Sequence, residues 1–124
     1  MLSRMQLGAV PSGDGRVRFG VWAPRRKRID VVLNGRDFPL QPDGNGNFSG
    51  VVRAAAFDLY RYRVDGGDAF ADPCSRFQPE GPHGPSMVVD PTQFKWTDGD
   101  WKGVGPHGQV LYELHVGAYT PEGT

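Results

Sequence analysis

The chain has 124 residues, of which 14 are Lys or Arg and 14 are Asp or Glu, so its formal net charge is zero. This balance gives no electrostatic reason to expect a nucleic acid or an acidic membrane as a partner. A single cysteine, Cys74, excludes an internal disulfide and is typical of a reducing compartment, so we expect a cytoplasmic protein. No stretch approaches the roughly 20 apolar residues that a membrane span needs.

Short segments of alternating apolar residues follow one another from the N-terminus. They predict strands, in chain order, at residues 5–10, 16–23, 28–33, 38–40, 48–53, 59–65 and 69–71. Asn34-Gly35 between two of them predicts a tight hairpin turn. In the second strand the alternation places Trp22 on the polar face, opposite Val17 and Phe19. Tyr60 and Tyr62 share a strand face with apolar residues, and we expect both in the core.

About seven short strands at this spacing, without a convincing helix, indicate an all-β fold. We predict an immunoglobulin-like, early-set type antiparallel β-sandwich with a C-terminal extended tail. The Cys…Trp…Cys spacing of antibody domains is absent, so the sandwich would be free of disulfides.

Residues 72–90, called the proline-rich loop below, contain four prolines and two glycines, which exclude a helix or a long strand. Phe77 and the apolar run 87–89 distinguish the loop from a flexible linker. We interpret it as a stiff docking segment. Phe77 and residues 87–89 are expected to pack on the sandwich, and residues 80–86 are expected to be the most mobile part of the loop.

The last apolar segment has a different pattern. Residues 110–116 are almost continuously apolar, as in a strand buried on both faces of a parallel sheet or barrel. We therefore expect a sandwich domain at 1–90, a linker at 91–108, and, at 109–124, the first strand and loop of a (β/α)8 barrel. The sequence stops where such a barrel would begin.

Three motifs together resemble one enzyme family. Residues 19–24 (FGVWAP) are similar to the opening of the sandwich domain that precedes the barrel in α-amylase-superfamily enzymes. Residues 72–86 (DPCSRFQPEGPHGPS) resemble a stretch of the maltooligosyltrehalose trehalohydrolases. Residues 112–117 (YELHVG) and 120–124 (TPEGT) resemble the first barrel strand of that family and its following loop.

The resemblance implies a non-catalytic N-terminal domain whose partner is the catalytic barrel of the same polypeptide. The complete enzyme would be a retaining glycosidase that hydrolyses the α-1,4 bond next to a terminal trehalose unit and releases trehalose. Its catalytic Asp and Glu would come from later barrel strands, with carboxyl groups about 5–5.5 Å apart. The motifs that carry them do not occur here, so no catalytic residue is assigned.

The residues give little support for an acid–base pair of carboxylates or for a metal site. Asp72, Glu80, Asp90 and Glu113 are carboxylates near apolar or proline-rich sequence, but turn capping explains Asp72 and Asp90, and Glu80 is expected in solvent. The histidines at 83, 107 and 115 lack the spacing of a metal site. We predict no metal and no cofactor.

Sugars stack on flat aromatic rings, which makes a set of aromatic residues the candidates for glycan-binding or interdomain contacts. They are Trp22, Phe77, Trp96 and Trp101. Two alternatives therefore stay open beside the accessory domain: a self-standing α-glucan-binding module, and a fragment that self-associates through the apolar strand at 110–116.

Overall fold

The computed structural model describes residues 6–123, in which two antiparallel β-sheets confirm the predicted immunoglobulin-like sandwich. The strands are β1 (Gly8–Pro11), β2 (Arg16–Trp22), β3 (Ile29–Leu33), β4 (Arg36–Pro39), β5 (Gln41–Pro42), β6 (Asn47–Arg53), β7 (Leu59–Val64), β8 (Ala69–Phe70) and β9 (Ser86–Met87). A 3₁₀ turn (Pro91–Gln93) and a short helix, α1 (Val116–Tyr119), complete the regular structure of these residues. The predicted first strand began at Met5, which lies outside the described residues.

The two sheets have the strand orders β1-β2-β6-β5 and β4-β3-β7-β8, and β9 also pairs with β7. In the first sheet Val17 lies opposite Val52, and Val21 opposite Phe48. Alternate residues of a strand share one face, so this register gives the sheet one continuous apolar face. The β3–β4 hairpin turns at Asn34 and Gly35, whose φ angles of 50° and 73° are those of the predicted tight turn.

The core lies between the two apolar faces. Its buried apolar members are Ala9, Val17, Phe19, Val21, Ile29, Val31, Leu33, Leu40, Phe48, Val52, Ala54, Tyr60, Tyr62 and Val88. The ring of Tyr60 packs edge-on against Phe19 at a centroid distance of 5.0 Å and against Tyr62 at 5.8 Å. Both tyrosines are therefore core residues, as predicted.

The chain divides into two units, Met1–Phe94 and Lys95–Thr124. The first contains the sandwich. In the second, residues 110–115 form no strand, and Val116 begins α1 instead. An apolar segment becomes a strand only when its backbone groups have a neighbouring strand to bond. The barrel strand and the division into sandwich, linker and barrel stay predictions. Across residues 6–123 no helix has the length and apolar character to cross a membrane.

Candidate interaction surfaces

The proline-rich loop is anchored to the core by one buried carboxylate. Asp72 is 3% exposed, and its Oδ2 accepts a hydrogen bond from the Tyr60 hydroxyl at 2.6 Å. Its Oδ1 accepts a hydrogen bond from the backbone N–H of Cys74 at 2.7 Å, and its own N–H donates to Ser86 Oγ at 2.9 Å. The side chain thus joins strand β7 to the start of the loop, while Ser86 ties in the loop's end.

Burial governs the protonation of this cluster. Desolvation raises the pKa of Asp72, and the hydrogen bonds from Tyr60 and Cys74 oppose that rise. Desolvation likewise raises the pKa of Tyr60, with the adjacent Asp72 carboxylate adding to the effect. The phenol therefore stays protonated and donates to the Asp72 carboxyl. This fixed polarity suits a structural clamp better than proton transfer.

The middle of the proline-rich loop makes specific contacts with strand β7 and within the loop. Gly84 is buried against Glu80, where an added Cβ would come within 2.6 Å of the Glu80 Cβ. Arg61 Nη2 donates to the carbonyl oxygen of His83 at 3.2 Å, and Ser86 is fully buried. Side chains of β7 and of the loop itself thus contact this backbone, and the greater mobility expected of residues 80–86 stays a prediction.

Phe77 is half exposed and lines an apolar hollow of about 610 Å³ on the sandwich. We call this feature the phenylalanine hollow; its lining is Phe57, Arg76, Phe77, Met87, Val89, Asp90, Gln93 and Phe94. Of the apolar run 87–89, only Val88 enters the core completely. Sequence reasoning missed Phe57, because no local pattern indicates that it lines a hollow with residues 19 to 37 positions further along the chain.

Trp22 occupies a separate site at the end of β2. Its side chain lies on the face that the strand alternation indicated and is 59% exposed, and it lines a hollow of about 310 Å³ with Ala23, Pro24, Arg25 and Arg26. Gly46 packs so closely on Pro24 that an added Cβ would lie 2.6 Å from the proline Cβ. The neighbouring turn therefore supports the backbone that presents Trp22.

The remaining aromatic candidates lie in the second unit. Trp96 is 75% exposed and Trp101 is 67% exposed. The structure thus brings Phe77 into an apolar hollow and Trp22 into another, and it presents Trp96 and Trp101 on the surface of residues 95–123.

The other candidate carboxylates, and the buried Asp30, are either exposed or bonded to neighbouring groups of the fold. Asp90 Oδ1 accepts from the N–H and hydroxyl of Thr92 and caps the 3₁₀ turn, while Glu80 and Glu113 are exposed. Asp30, which the strand alternation did not single out, is fully buried under a bidentate pair with Arg28 at 2.8 and 2.9 Å. Across residues 6–123, no three His, Cys, Asp or Glu side chains form a group that could hold a metal.

Two antiparallel sheets packed around one apolar core define an immunoglobulin-like β-sandwich domain. Residues 6–93 match carbohydrate-binding module 48, the isoamylase N-terminal domain, and the chain belongs to this family.

Known proteins resemble the chain beyond the family match. It is 38% identical over 122 residues to the malto-oligosyltrehalose trehalohydrolase of Deinococcus radiodurans, covering 98% of this chain and 20% of that protein. The Arthrobacter ramosus trehalohydrolase is 44% identical over 112 residues, covering 86% and 20%. A crystal structure of a Salmonella typhimurium protein assigned as an alpha amylase superposes with a TM-score of 0.81 at 35% identity, covering 98% of this chain and 21% of that one. The chain spans about a fifth of these relatives' length.

Proposed function

We propose that the chain is the non-catalytic N-terminal domain of an enzyme of the maltooligosyltrehalose trehalohydrolase type, and that it braces the catalytic barrel. The complete enzyme would hydrolyse the α-1,4 bond that releases trehalose. One observation carries the proposal: the similarity to two trehalohydrolases extends over nearly the whole chain, past the family match at residue 93, yet takes up a fifth of their length.

The surroundings of the carboxylates support a non-catalytic role. A retaining glycosidase needs an acid and a nucleophile that face a common substrate. Here the buried Asp30 is bonded to Arg28, and the buried Asp72 accepts from Tyr60 and from the backbone N–H of Cys74, so both carboxylates are engaged in contacts within the domain. We also propose a cytoplasmic location, in keeping with the lone Cys74.

A chimaera tests the proposal. This chain replaces the matching fifth of the Arthrobacter ramosus trehalohydrolase, which is similar enough in sequence for the exchange. We expect the folded chimaera to release trehalose from maltooligosyltrehalose, and the 124-residue chain alone to release none. A folded chimaera without activity would contradict the proposed role.

A second function, α-glucan binding, is favoured by the exposed ring of Trp22 over its hollow and by the description of the family as a carbohydrate-binding module. Titration of the chain with maltooligosaccharides tests it. Saturable binding that is lost in Trp22→Ala and retained in Phe70→Ala, a similarly exposed aromatic on β8, would support this function. The same titration with Trp96→Ala and Trp101→Ala tests the other two tryptophans. Absence of binding in the unchanged chain would exclude it.

Self-association through residues 110–116 is a further proposal. Val110 is 90% exposed and Leu111 is 92% exposed, and apolar side chains this open favour association with a second copy. Light scattering over a range of concentrations would show a dimer that is lost on replacing both residues by Ser. A monomer at every concentration would exclude it.

A further inference from the structure

Phe57 adopts a backbone conformation that its side chain makes costly. Its φ angle is 73°, in the left-handed region where a bulky residue is a rare outlier and glycine is at ease. Its N–H donates to the carbonyl oxygen of Val88 at 2.9 Å, which keeps the turn in place. The ring gains little from burial, because 69% of the residue is exposed. Strain of this kind, uncompensated by packing, points to a role for the ring outside the fold itself.

The other rings of the phenylalanine hollow are presented on fixed backbone. The carbonyl oxygen of Phe77 accepts hydrogen bonds from the N–H of Met87 at 2.9 Å and from Ser75 Oγ at 3.0 Å. Phe77 is 50% exposed and Phe94 is 63% exposed. Three phenylalanines therefore remain open to solvent around one hollow, an arrangement that marks an interaction site more often than a bare surface.

Two polar side chains at the hollow, Arg76 and Asp90, are already bonded within the first unit. Arg76 Nη1 donates to the carbonyl oxygen of Ala9 at 3.0 Å, and Asp90 is bonded to Thr92. A sugar needs convergent hydrogen-bond partners for its hydroxyl groups, whereas apolar side chains of a protein need only the rings. The lining therefore favours a protein surface as the occupant.

The position of the hollow indicates which protein surface. Its lining includes Gln93 and Phe94, the last residues of the first unit, so the chain leaves the sandwich at the edge of this hollow. Any domain that continues the polypeptide is tethered beside it, which raises its effective concentration there.

We propose that the phenylalanine hollow is the surface on which the catalytic domain docks, with apolar side chains of that domain inserted between Phe57, Phe77 and Phe94. The inference rests on the proposed function and adds to it the side of the sandwich that meets the barrel.

Hydroxyl-radical footprinting with mass spectrometry tests the inference on the 124-residue chain and on the trehalohydrolase chimaera. We expect labelling of Phe57, Phe77 and Met87 to fall in the chimaera to less than about a fifth of its value in the chain, because interface cores exclude water. Phe70, exposed on β8, is the matched control and should keep its labelling. Equal labelling of the hollow in both proteins would overturn the inference. So would protection that appears in the chain alone as its concentration rises, since the occupant would then be a second copy.

The footprint and the activity of the chimaera report separately. An active chimaera with a fully labelled hollow would refute the docking surface and leave the proposed function standing. An inactive, folded chimaera with a protected hollow would refute the proposed function, while the docking surface would hold.

The substitution Phe57→Gly gives an independent test, because the inference predicts opposite changes in two measured temperatures. Phe57→Gly relieves the backbone strain and removes the ring, so it should raise the unfolding midpoint of the 124-residue chain and lower the thermal inactivation temperature of the chimaera. Phe70→Ser should leave the inactivation temperature unchanged. A purely structural Phe57 would move both temperatures in the same direction, which would overturn the inference.

Discussion

Replacing Asp72 by Ala removes the clamp between the core and the proline-rich loop. The Tyr60 hydroxyl loses its acceptor at 2.6 Å, and the N–H of Cys74 loses its acceptor at 2.7 Å. Tyr60 is 2% exposed, so its hydroxyl cannot turn to bulk water. An unsatisfied buried donor costs about 1–3 kcal/mol and a lost loop bond about 1 kcal/mol. Removing the buried carboxylate also removes its desolvation penalty, which offsets part of these costs. We therefore expect the free energy of unfolding to fall by about 2–3 kcal/mol.

Urea unfolding followed by intrinsic fluorescence measures this loss. In a thermal scan of a sandwich of this size, each kcal/mol of lost unfolding free energy should lower the thermal midpoint by about 4–8 °C. Glu80→Ala is the matched control, since Glu80 is an exposed carboxylate in the same loop and should change stability by less than about 0.5 kcal/mol. An Asp72→Ala protein as stable as the Glu80→Ala protein would refute the clamp.

Two further predictions concern pH and backbone geometry. Because burial raises the pKa of Asp72, the stability this group contributes is fully present below its unfolded pKa of about 3.9 and is lost as the pH rises through the raised folded value. The loss of unfolding free energy caused by Asp72→Asn, measured by urea unfolding, should therefore become smaller from about pH 4 to pH 7. A loss that becomes larger over this range would show that hydrogen bonds to the ionised carboxylate dominate instead. Gly46→Ala should cost at least about 1 kcal/mol more than Gly35→Ala, since both have positive φ but only Gly46 would place its Cβ on Pro24; equal losses would contradict the close approach.

The fold could be predicted because its information is local. Alternation placed Val17, Phe19 and Val21 in the core and left Trp22 outside, and Asn34-Gly35 specified its own turn. These features depend on residues adjacent in sequence, which a single chain displays directly.

The candidate sites were less predictable because they depend on distant residues. Phe57, Phe77 and Phe94 meet only after the sandwich and the proline-rich loop have folded. Asp30 alternates with the core residues Ile29 and Val31, yet it is fully buried and bonded to Arg28. The segment 110–116 shows the opposite case, since its pattern predicts a strand but the described residues supply no neighbour to pair with it.

The bracing role is tested most directly by the thermal inactivation of trehalose release in the chimaera when the sandwich alone is weakened. If the sandwich supports the catalytic domain, Asp72→Ala should lower the temperature of half-inactivation relative to Glu80→Ala, although neither residue belongs to the catalytic domain. Identical inactivation temperatures for the two variants, with the sandwich of Asp72→Ala shown to unfold earlier, would contradict a bracing role.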